Sequence, residues 1–195
     1  MKLCLFGGTF DPPHIGHLLI AQTIFEAEHF DKIIFIPAYR PPHKNFKKLS
    51  NIEHRLKMLE LAVAENPHFS ISDIEIRRQG INYSIDTVRE LQVEYKLSSN
   101  DIYFLIGSDT LGGIVDWKKP RELVRECRVI VAIRPGFRPS DIPPWLLESI
   151  RFANIPRFEI SSTVIRNRWK GDKTIRYMVT QQVWEYINKH NLYSI

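Results

Sequence analysis

Two histidines, His14 and His17, stand three residues apart near the beginning of the sequence. Residues three apart lie on one face of a helix, so the two imidazoles can point at the same place. Imidazole N–H groups donate hydrogen bonds to phosphate oxygens and stabilise the negative charge that builds up during phosphoryl or nucleotidyl transfer. Such a pair can also ligate a metal, but the sequence has no His-Glu-x-x-His or Cys-x-x-Cys motif. The pair therefore favours a nucleoside triphosphate as ligand, with no metal held by protein side chains.

The residues before the histidines indicate how a phosphate site is built. The apolar run Lys2 to Phe6 is typical of a buried parallel strand, and the helical spacing of apolar residues begins at Ile15. Between them, Gly7 and Gly8 let the main chain turn sharply and approach a ligand. The free N–H groups of the first helical turn attract anions. The residues expected to bind the triphosphate here are Gly7, Gly8, Thr9, Phe10, His14 and His17.

A second candidate phosphate contact lies late in the sequence, at Ile160 to Arg166. Ser161 or Ser162 can cap a helix whose N-terminal N–H groups and hydroxyls face phosphates, and Arg166 lies one turn along on the same side. An ordinary helix cap followed by an exposed arginine would have the same sequence. Arg134, directly after a predicted strand, is a further candidate for the triphosphate.

Polar and aromatic candidates follow the other predicted strands. Gly107 provides a sharp turn that would expose Asp109, whose carboxylate can accept hydrogen bonds from ribose hydroxyls or cap a helix. Trp117 can stack its indole face on a flat ligand ring, or it can simply pack in the core. After the second strand, two rigid prolines precede His43 and Lys44, and the lysine can serve as a point charge for a phosphate.

Taken in order, these motifs resemble the His-x-Gly-His nucleotidyltransferases, and among them the bacterial nicotinate-nucleotide adenylyltransferases. The resemblance runs nearly end to end. The motifs that carry it are Gly7 to His17, Pro41 to Lys44, Asn82 to Thr87, Ile106 to Asp109, Trp117, and Ile160 to Arg166. The class I aminoacyl-tRNA synthetases share the first motif. However, the sequence lacks their Lys-Met-Ser-Lys-Ser type of loop and, at 195 residues, is too short for such an enzyme.

The resemblance implies adenylyl transfer from ATP to nicotinate mononucleotide, which gives nicotinate adenine dinucleotide and pyrophosphate in NAD biosynthesis. It implies that His14 and His17 are the catalytic residues and that the Ser161 to Arg166 element holds the triphosphate opposite them. Magnesium would be the cofactor, carried mainly by the ATP phosphates. In this reaction the substrate phosphate attacks the α-phosphorus in line, so the protein contributes positioning and charge neutralisation.

The resemblance also assigns the acceptor side. The loop with His43 and Lys44 would contact the phosphate of the mononucleotide, and Trp117 would stack on the nicotinate ring. Main-chain N–H groups near Tyr83 and Ser84 would bind the nicotinate carboxylate. Ser84 stands where the family more often has threonine, which leaves a main-chain contact intact and puts only a side-chain contact in doubt.

Composition and charge agree with a compact enzyme that takes small anionic substrates. The sequence is 44% hydrophobic and 25% charged, with a net charge of +5 that is scattered along the chain. This pattern suits anionic substrates better than a nucleic-acid groove. No apolar run approaches the length of a membrane span or a signal peptide, which predicts a cytoplasmic protein. Cys4 and Cys127 are expected to be buried in a reducing compartment.

The order of elements predicts an α/β fold, a Rossmann-like open parallel sheet with helices on both faces. We expect one domain over residues 1–195, with residues 160–195 as a small C-terminal helical part. Strands are predicted at 2–6, 32–36, 70–74, 102–106 and 128–133. Helices are predicted from 15, 51 and 84, then at 162–169 and 175–190, and Ser50 with Glu53 would form a capping box. The motifs follow strands or begin helices, so they should meet in one crevice.

Other functions share parts of this pattern. A sister transferase such as pantetheine-phosphate adenylyltransferase has the first and last motifs but should lack those at Pro41 and Asn82. Nicotinamide mononucleotide is an alternative acceptor. A nucleotide- or nucleic-acid-binding module without catalysis would bind ATP and release no pyrophosphate. Among partners, the sequence predicts ATP and nicotinate mononucleotide, neither nucleic acid nor membrane, and is compatible with a homo-oligomer.

Overall fold

The computed structural model describes residues 1–42, 49–133, 142–156 and 158–194. Within these ranges six parallel strands form one sheet: β1 (Leu3–Gly8), β2 (Lys32–Pro37), β3 (Phe69–Ile71), β4 (Ile102–Gly107), β5 (Arg128–Ile133) and β6 (Ile150–Asn154). The helices are α1 (Ile15–Glu28), α2 (Ile52–Val63), α3 (Ile74–Arg78), α4 (Ser84–Tyr95), α5 (Ser108–Leu111), α6 (Pro120–Glu126), α7 (Pro144–Leu147), α8 (Ser162–Lys170) and α9 (Gln181–Lys189).

The strand order is β3-β2-β1-β4-β5-β6. The chain therefore builds outward from β1 through β2 to β3, and then returns to the other side of β1 and continues outward from β4. The crossing point lies between β1 and β4, where a crevice opens beyond the carboxyl ends of the strands. The predicted Rossmann-like α/β fold is confirmed.

Successive side chains along each strand point to opposite faces of the sheet, and an apolar core lies on each face. In β1, Leu3 and Leu5 face a core closed by α4 and α6, whereas Cys4 and Phe6 face a core closed by α1 and α2. Strands covered on both faces are apolar at nearly every position, which explains the continuous run that predicted β1. A third core joins α2 to α8 and α9 through Met58 and its neighbours. Through it, the late helices pack on the α1 and α2 side of the sheet.

The edge strand β6 was not predicted. In Ile150–Asn154 the side chains are only partly buried or exposed, because the strand pairs with β5 alone. The segment therefore lacks the apolar run that identified the inner strands, and it is missing from the predicted strands.

Three predicted boundaries also differ. The last helix begins at Gln181 rather than Ile175, because the Thr180 side chain caps it and accepts from the Val183 N–H at 3.3 Å. The strand predicted over 70–74 is β3, over 69–71, and α3 already begins at position 74. The cap of α2 is Asn51, not Ser50.

Candidate active site

The crevice between the carboxyl ends of β1 and β4 contains a cavity of about 430 Å³. It is lined by predicted site residues from both strands and from the helices that follow them. These residues are Gly7, Gly8, Thr9, Tyr83, Ser84, Gly107, Asp109 and Trp117. The structure therefore brings motifs from widely separated parts of the sequence into one place.

The two histidines stack on one another at the beginning of α1. Their ring centroids are 3.6 Å apart with an interplanar angle of 20°. His14 is buried, at 2% exposure, and occupies the N-cap position, while His17 is half-buried. The His14 main-chain N–H donates to Nδ1 of His17 at 3.2 Å. The proton of a neutral His17 ring therefore lies on Nε2, where it can be donated to a phosphate oxygen.

The turn before the histidines is held by Phe10. This residue has a left-handed φ of 46° and is 1% exposed, with its ring 5.0 Å from the His17 ring in an edge-on contact. A Cβ on Gly8 would lie 2.9 Å from the Phe10 ring, so glycine is needed there. Because the Phe10 side chain lies in the core, a ligand contact from this residue would come from its main chain.

Gly16, between the histidines, is the point where the late segment packs on α1. A Cβ at this position would lie 2.5 Å from Cγ2 of Ile160 and 2.7 Å from Cε2 of Phe158. Only a glycine lets the segment that leads into α8 come this close. The spacing of the histidine motif thus serves packing as well as chemistry.

The N-terminus of α8 is bonded directly to the turn that precedes the histidines. Ser161 caps the helix and accepts from the Val164 N–H at 3.2 Å. The Ser162 hydroxyl donates to the carbonyl of Pro12 at 2.9 Å. Nη1 of Arg166 donates to the carbonyl of Asp11 at 2.7 Å. The cap predicted here is present, and the predicted phosphate element stands beside the opening motif.

Asp109 is exposed at the mouth of the crevice and lines the cavity. The N-cap position of α5 belongs to Gly107, which has extended backbone angles, so the alternative role of Asp109 as that cap is wrong. An exposed carboxylate at this edge of β4 suits contacts with ribose hydroxyls.

The other wall of the cavity combines an aromatic ring with a helix N-terminus. The Trp117 ring meets Phe104 edge-on at 6.2 Å and is only partly buried. Tyr83 is the N-cap of α4 and Ser84 its first residue, and both line the cavity, so the N-terminus of this helix lies at it. Helix N-termini attract anions, and a carboxylate is such an anion.

The chain matches proteins of known family along its whole length. A family model described as cytidylyltransferase-like matches residues 5–168. The nicotinate-nucleotide adenylyltransferase of Bacillus subtilis (strain 168) is 38% identical over 193 residues, covering 99% of this chain and 98% of the relative. A probable nicotinate-nucleotide adenylyltransferase of Salinibacter ruber is 37% identical with the same coverage.

The chain belongs to the nicotinate-nucleotide adenylyltransferase family. It is therefore a nucleotidyltransferase, as the resemblance predicted. The fold agrees with solved structures: Plasmodium falciparum nicotinic acid mononucleotide adenylyltransferase complexed with NaAD has a TM-score of 0.79, covering 98% of this chain and 97% of the other. The same protein complexed with APC also has a TM-score of 0.79. At 22% and 21% identity these likenesses show the fold alone.

Three buried polar residues form a hydrogen-bonded group that the sequence did not predict. Asn82 accepts from the Arg40 N–H at 2.7 Å and donates to the carbonyl of Glu75 at 3.1 Å. The Thr87 hydroxyl donates to the Glu75 carboxylate at 2.7 Å. Burial raises the pKa of Glu75 above its ordinary value, although the Thr87 hydrogen bond and Arg78 oppose the shift. The three residues join α3 and α4 to the loop after β2, behind Tyr83.

No local motif marks these three as a set. Asn82 and Thr87 belong to a string that the resemblance contains, whereas Glu75 lies between Ile74 and Ile76 in a stretch of mixed polarity, and its burial is visible only in three dimensions. Three other predicted site residues, His43, Lys44 and Arg134, lie outside the described residues.

The described residues contain no group of three or more histidine, cysteine or acidic side chains placed to hold a metal ion. Asp11, the carboxylate nearest in sequence to the histidines, accepts from the Tyr193 hydroxyl and the Ser50 N–H instead. A magnesium ion that arrives bound to triphosphate fits this arrangement, since the phosphates bring their own oxygen ligands. In the same part of the chain, no helix is both long and apolar enough to cross a membrane.

Proposed function

We propose that the protein transfers the adenylyl group of ATP to nicotinate mononucleotide, giving nicotinate adenine dinucleotide and pyrophosphate in NAD biosynthesis. The observation that carries the proposal is the full-length match to the Bacillus subtilis nicotinate-nucleotide adenylyltransferase. The crevice supports it, because the ends of β1 and β4, the N-terminus of α4 and the Trp117 ring line one cavity. The stacked histidines and the capped N-terminus of α8 lie beside the turn that follows β1.

His14 and His17 are the catalytic residues of this proposal. Their stacked rings stand next to the α8 N-terminus, so that both elements can neutralise negative charge on a triphosphate. Gly7, Gly8, Thr9 and Gly107 bring main chain close to the nucleotide. Ser161, Ser162 and Arg166 supply the opposite side.

The reaction needs no protein nucleophile. A phosphate oxygen of the mononucleotide forms a bond to the α-phosphorus of ATP, and the bond from that phosphorus to the β-phosphate oxygen breaks. Pyrophosphate leaves with the electron pair. The protein aligns the two phosphates and stabilises the charge that grows on the leaving group, which is the main form of catalysis open to phosphoryl-type transfers. When bound to the phosphates, magnesium would supply further positive charge that shields part of the charge on the leaving group.

The acceptor pocket suits an acid better than an amide. The nicotinate carboxylate would accept from the N–H groups at the beginning of α4, beside Tyr83 and Ser84, while its ring faces Trp117. A neutral carboxamide would gain less from the positive end of the helix. We therefore place nicotinate mononucleotide ahead of nicotinamide mononucleotide.

We further propose that the reaction takes place in the cytoplasm. The two cysteines are free and buried, as predicted, which agrees with a reducing compartment.

Pyrophosphate release from ATP and magnesium tests the proposal. Nicotinate mononucleotide, nicotinamide mononucleotide and phosphopantetheine would be compared as acceptors on the same enzyme. Strong preference for the first is the expected result. Preference for phosphopantetheine would keep the roles of the histidines and overturn those of Trp117 and Ser84. ATP binding without pyrophosphate release on any acceptor would favour a module that binds nucleotides without catalysis.

The variant His17→Ala tests the catalytic assignment. Removal of one preorganised donor to a transition-state oxyanion costs roughly 10²–10³-fold in turnover. We expect a loss of that size with little change in thermal unfolding, because the ring is only half-buried. His68→Ala is the matched control, since His68 is exposed and its ring packs on the ring of Phe25. Full activity in His17→Ala would remove the histidine pair from the mechanism.

A further inference from the structure

A buried polar cluster lies beneath the turn that leads to the histidines. We name it the polar centre; its members are Asp11, Arg55 and Tyr193. Asp11 is 1% exposed and Arg55 is 2% exposed, while Tyr193 is half-buried. They come from the opening turn, from α2 and from the segment after α9.

Arg55 connects three stretches of main chain. Its Nη1 donates to the carbonyl of Thr9 at 2.9 Å and to that of Ala38 at 2.8 Å. Its Nε donates to the carbonyl of Ser50 at 3.0 Å. Thr9 belongs to the phosphate turn, Ala38 follows β2, and Ser50 precedes α2. One guanidinium thus fixes the phosphate turn against both ends of the segment that joins β2 to α2.

Asp11 connects this arrangement to the triphosphate side. Its Oδ2 accepts from the Ser50 N–H at 3.1 Å, and its Oδ1 accepts from the Tyr193 hydroxyl at 2.7 Å. Its main-chain carbonyl accepts from Nη1 of Arg166 at 2.7 Å. The side chain of Asp11 is therefore anchored from two directions, while its main chain orients an arginine that the proposed function assigns to ATP.

The Tyr193 hydroxyl remains a donor at working pH. Burial raises the pKa of Tyr193 above its ordinary value, and the neighbouring Asp11 raises it further. Burial also lowers the pKa of Arg55, while Asp11 and Tyr193 oppose that shift. Buried charges cost desolvation energy, and apolar residues of similar size often stabilise a fold as well or better. A cluster of this kind is better explained by the geometry that it fixes than by stability.

We propose that Tyr193 is a positioning residue for ATP, which holds Asp11 so that the Asp11 carbonyl keeps Arg166 directed at the triphosphate. Arg55 likewise positions Thr9, through its hydrogen bond to the Thr9 carbonyl. The proposal rests on the proposed function, because it takes Arg166 as a contact of ATP. It extends the active site to a residue near the end of the sequence, 182 positions away from its partner.

The variant Tyr193→Phe removes one hydrogen bond and keeps the ring. We expect the KM for ATP to rise about tenfold, the size of effect that one hydrogen bond to a charged group carries. The KM for nicotinate mononucleotide should change less than twofold. Tyr186→Phe is the matched control: it removes the hydrogen bond between the Tyr186 hydroxyl and His54, at 2.9 Å, on the α2 and α9 surface. That control should leave both KM values unchanged.

A double-mutant cycle that combines Tyr193→Phe with Arg166→Ala tests whether Tyr193 acts on ATP binding through Arg166. If Tyr193 acts through Asp11 and Arg166, the tenfold effect of Tyr193→Phe should shrink to less than twofold in the Arg166→Ala background. A full tenfold effect in both backgrounds would overturn the proposal. So would a wild-type KM for ATP in the single variant, or an equal rise in the KM of both substrates.

Equilibrium binding of ATP separates this proposal from the proposed function. Calorimetry with ATP alone measures the affinity without an acceptor or a reaction, and the tenfold loss should appear there too. If the wild-type enzyme binds ATP but releases no pyrophosphate with nicotinate mononucleotide, the proposed function fails. The effect of Tyr193→Phe on the affinity for ATP can still be measured. If Tyr193→Phe is unfolded, Asp11→Ala replaces it, since it removes both acceptor oxygens and keeps the main-chain carbonyl that Arg166 contacts. An unchanged ATP affinity in folded Asp11→Ala would equally reject the proposal.

Discussion

The variant Gly16→Ala tests whether close packing between α1 and the segment that leads into α8 is needed for catalysis. In the variant Gly16→Ala, the new methyl would lie 2.5 Å from Cγ2 of Ile160 and 2.7 Å from Cε2 of Phe158. Carbon atoms pack at about 3.5–4.0 Å, so the late segment must retreat by roughly 1 Å. Ser161 and Ser162 follow directly, and the retreat would carry the N-terminus of α8 away from the histidines.

Two magnitudes follow from this displacement. Overpacking of a tight contact costs about 1–3 kcal/mol in the free energy of unfolding, and the better helix propensity of alanine returns up to about 1 kcal/mol. A net loss of about 1–2 kcal/mol lowers the unfolding temperature by only several degrees. A displacement of about 1 Å between reacting groups, however, costs about 10²-fold in rate. Catalysis should therefore fall far more than stability.

Pyrophosphate release and thermal unfolding would be measured side by side on Gly16→Ala. The matched control is Gly171→Ala at the end of α8, where a Cβ would make ordinary contacts of 3.5 Å and 3.7 Å with main-chain carbonyls. We expect the control to keep wild-type kcat/KM. A Gly16→Ala enzyme with wild-type kcat/KM would refute the inference that the position of α8 depends on this contact.

Two further predictions concern buried titratable groups. Because burial raises the pKa of Glu75, a charged Glu75 destabilises the fold, and this cost grows as the pH rises from about 4.5 through the raised pKa. In urea unfolding at a series of pH values, Glu75→Gln should therefore gain stability relative to the wild type as the pH increases; a difference that is independent of pH would contradict the shift. Burial raises the pKa of Cys127 to about 12 and that of Cys4 further, so at pH 8 only about one Cys127 thiol in 10⁴ is ionised. An alkylating reagent should modify both thiols in denatured protein only, and rapid labelling of the native enzyme would show that one of them is accessible.

The inner part of the fold was predictable because its strands are buried on both faces. A strand such as β2 is apolar at almost every position, and this local pattern needs no tertiary context. The edge strand β6 has one neighbour and half-exposed side chains, so its sequence carries no comparable signal. Helix ends depend on single side chains, which is why Asn51 rather than Ser50 caps α2.

The site divides in a similar way. The histidine motif and the cap at Ser161 were predictable because each depends on a few residues that are adjacent in the sequence. Arg55 and Glu75 were not, since a charged residue in a helix is usually exposed and nothing local shows that these two are buried. Their partners are main-chain carbonyls and side chains that only the folded chain brings near.

The bonds from α8 to the opening turn also concern the order in which the protein is made. Ser162 reaches Pro12 across 150 positions, and Arg166 reaches Asp11 across 155. During synthesis the opening turn emerges and begins to fold early, because domains fold from the N-terminal side as the chain grows. The hydrogen bonds that complete this proposed phosphate-binding turn come from residues that the ribosome adds much later. An unfinished chain therefore holds the histidines without the helix that faces them, and the proposed ATP site is complete only after α8 has been made.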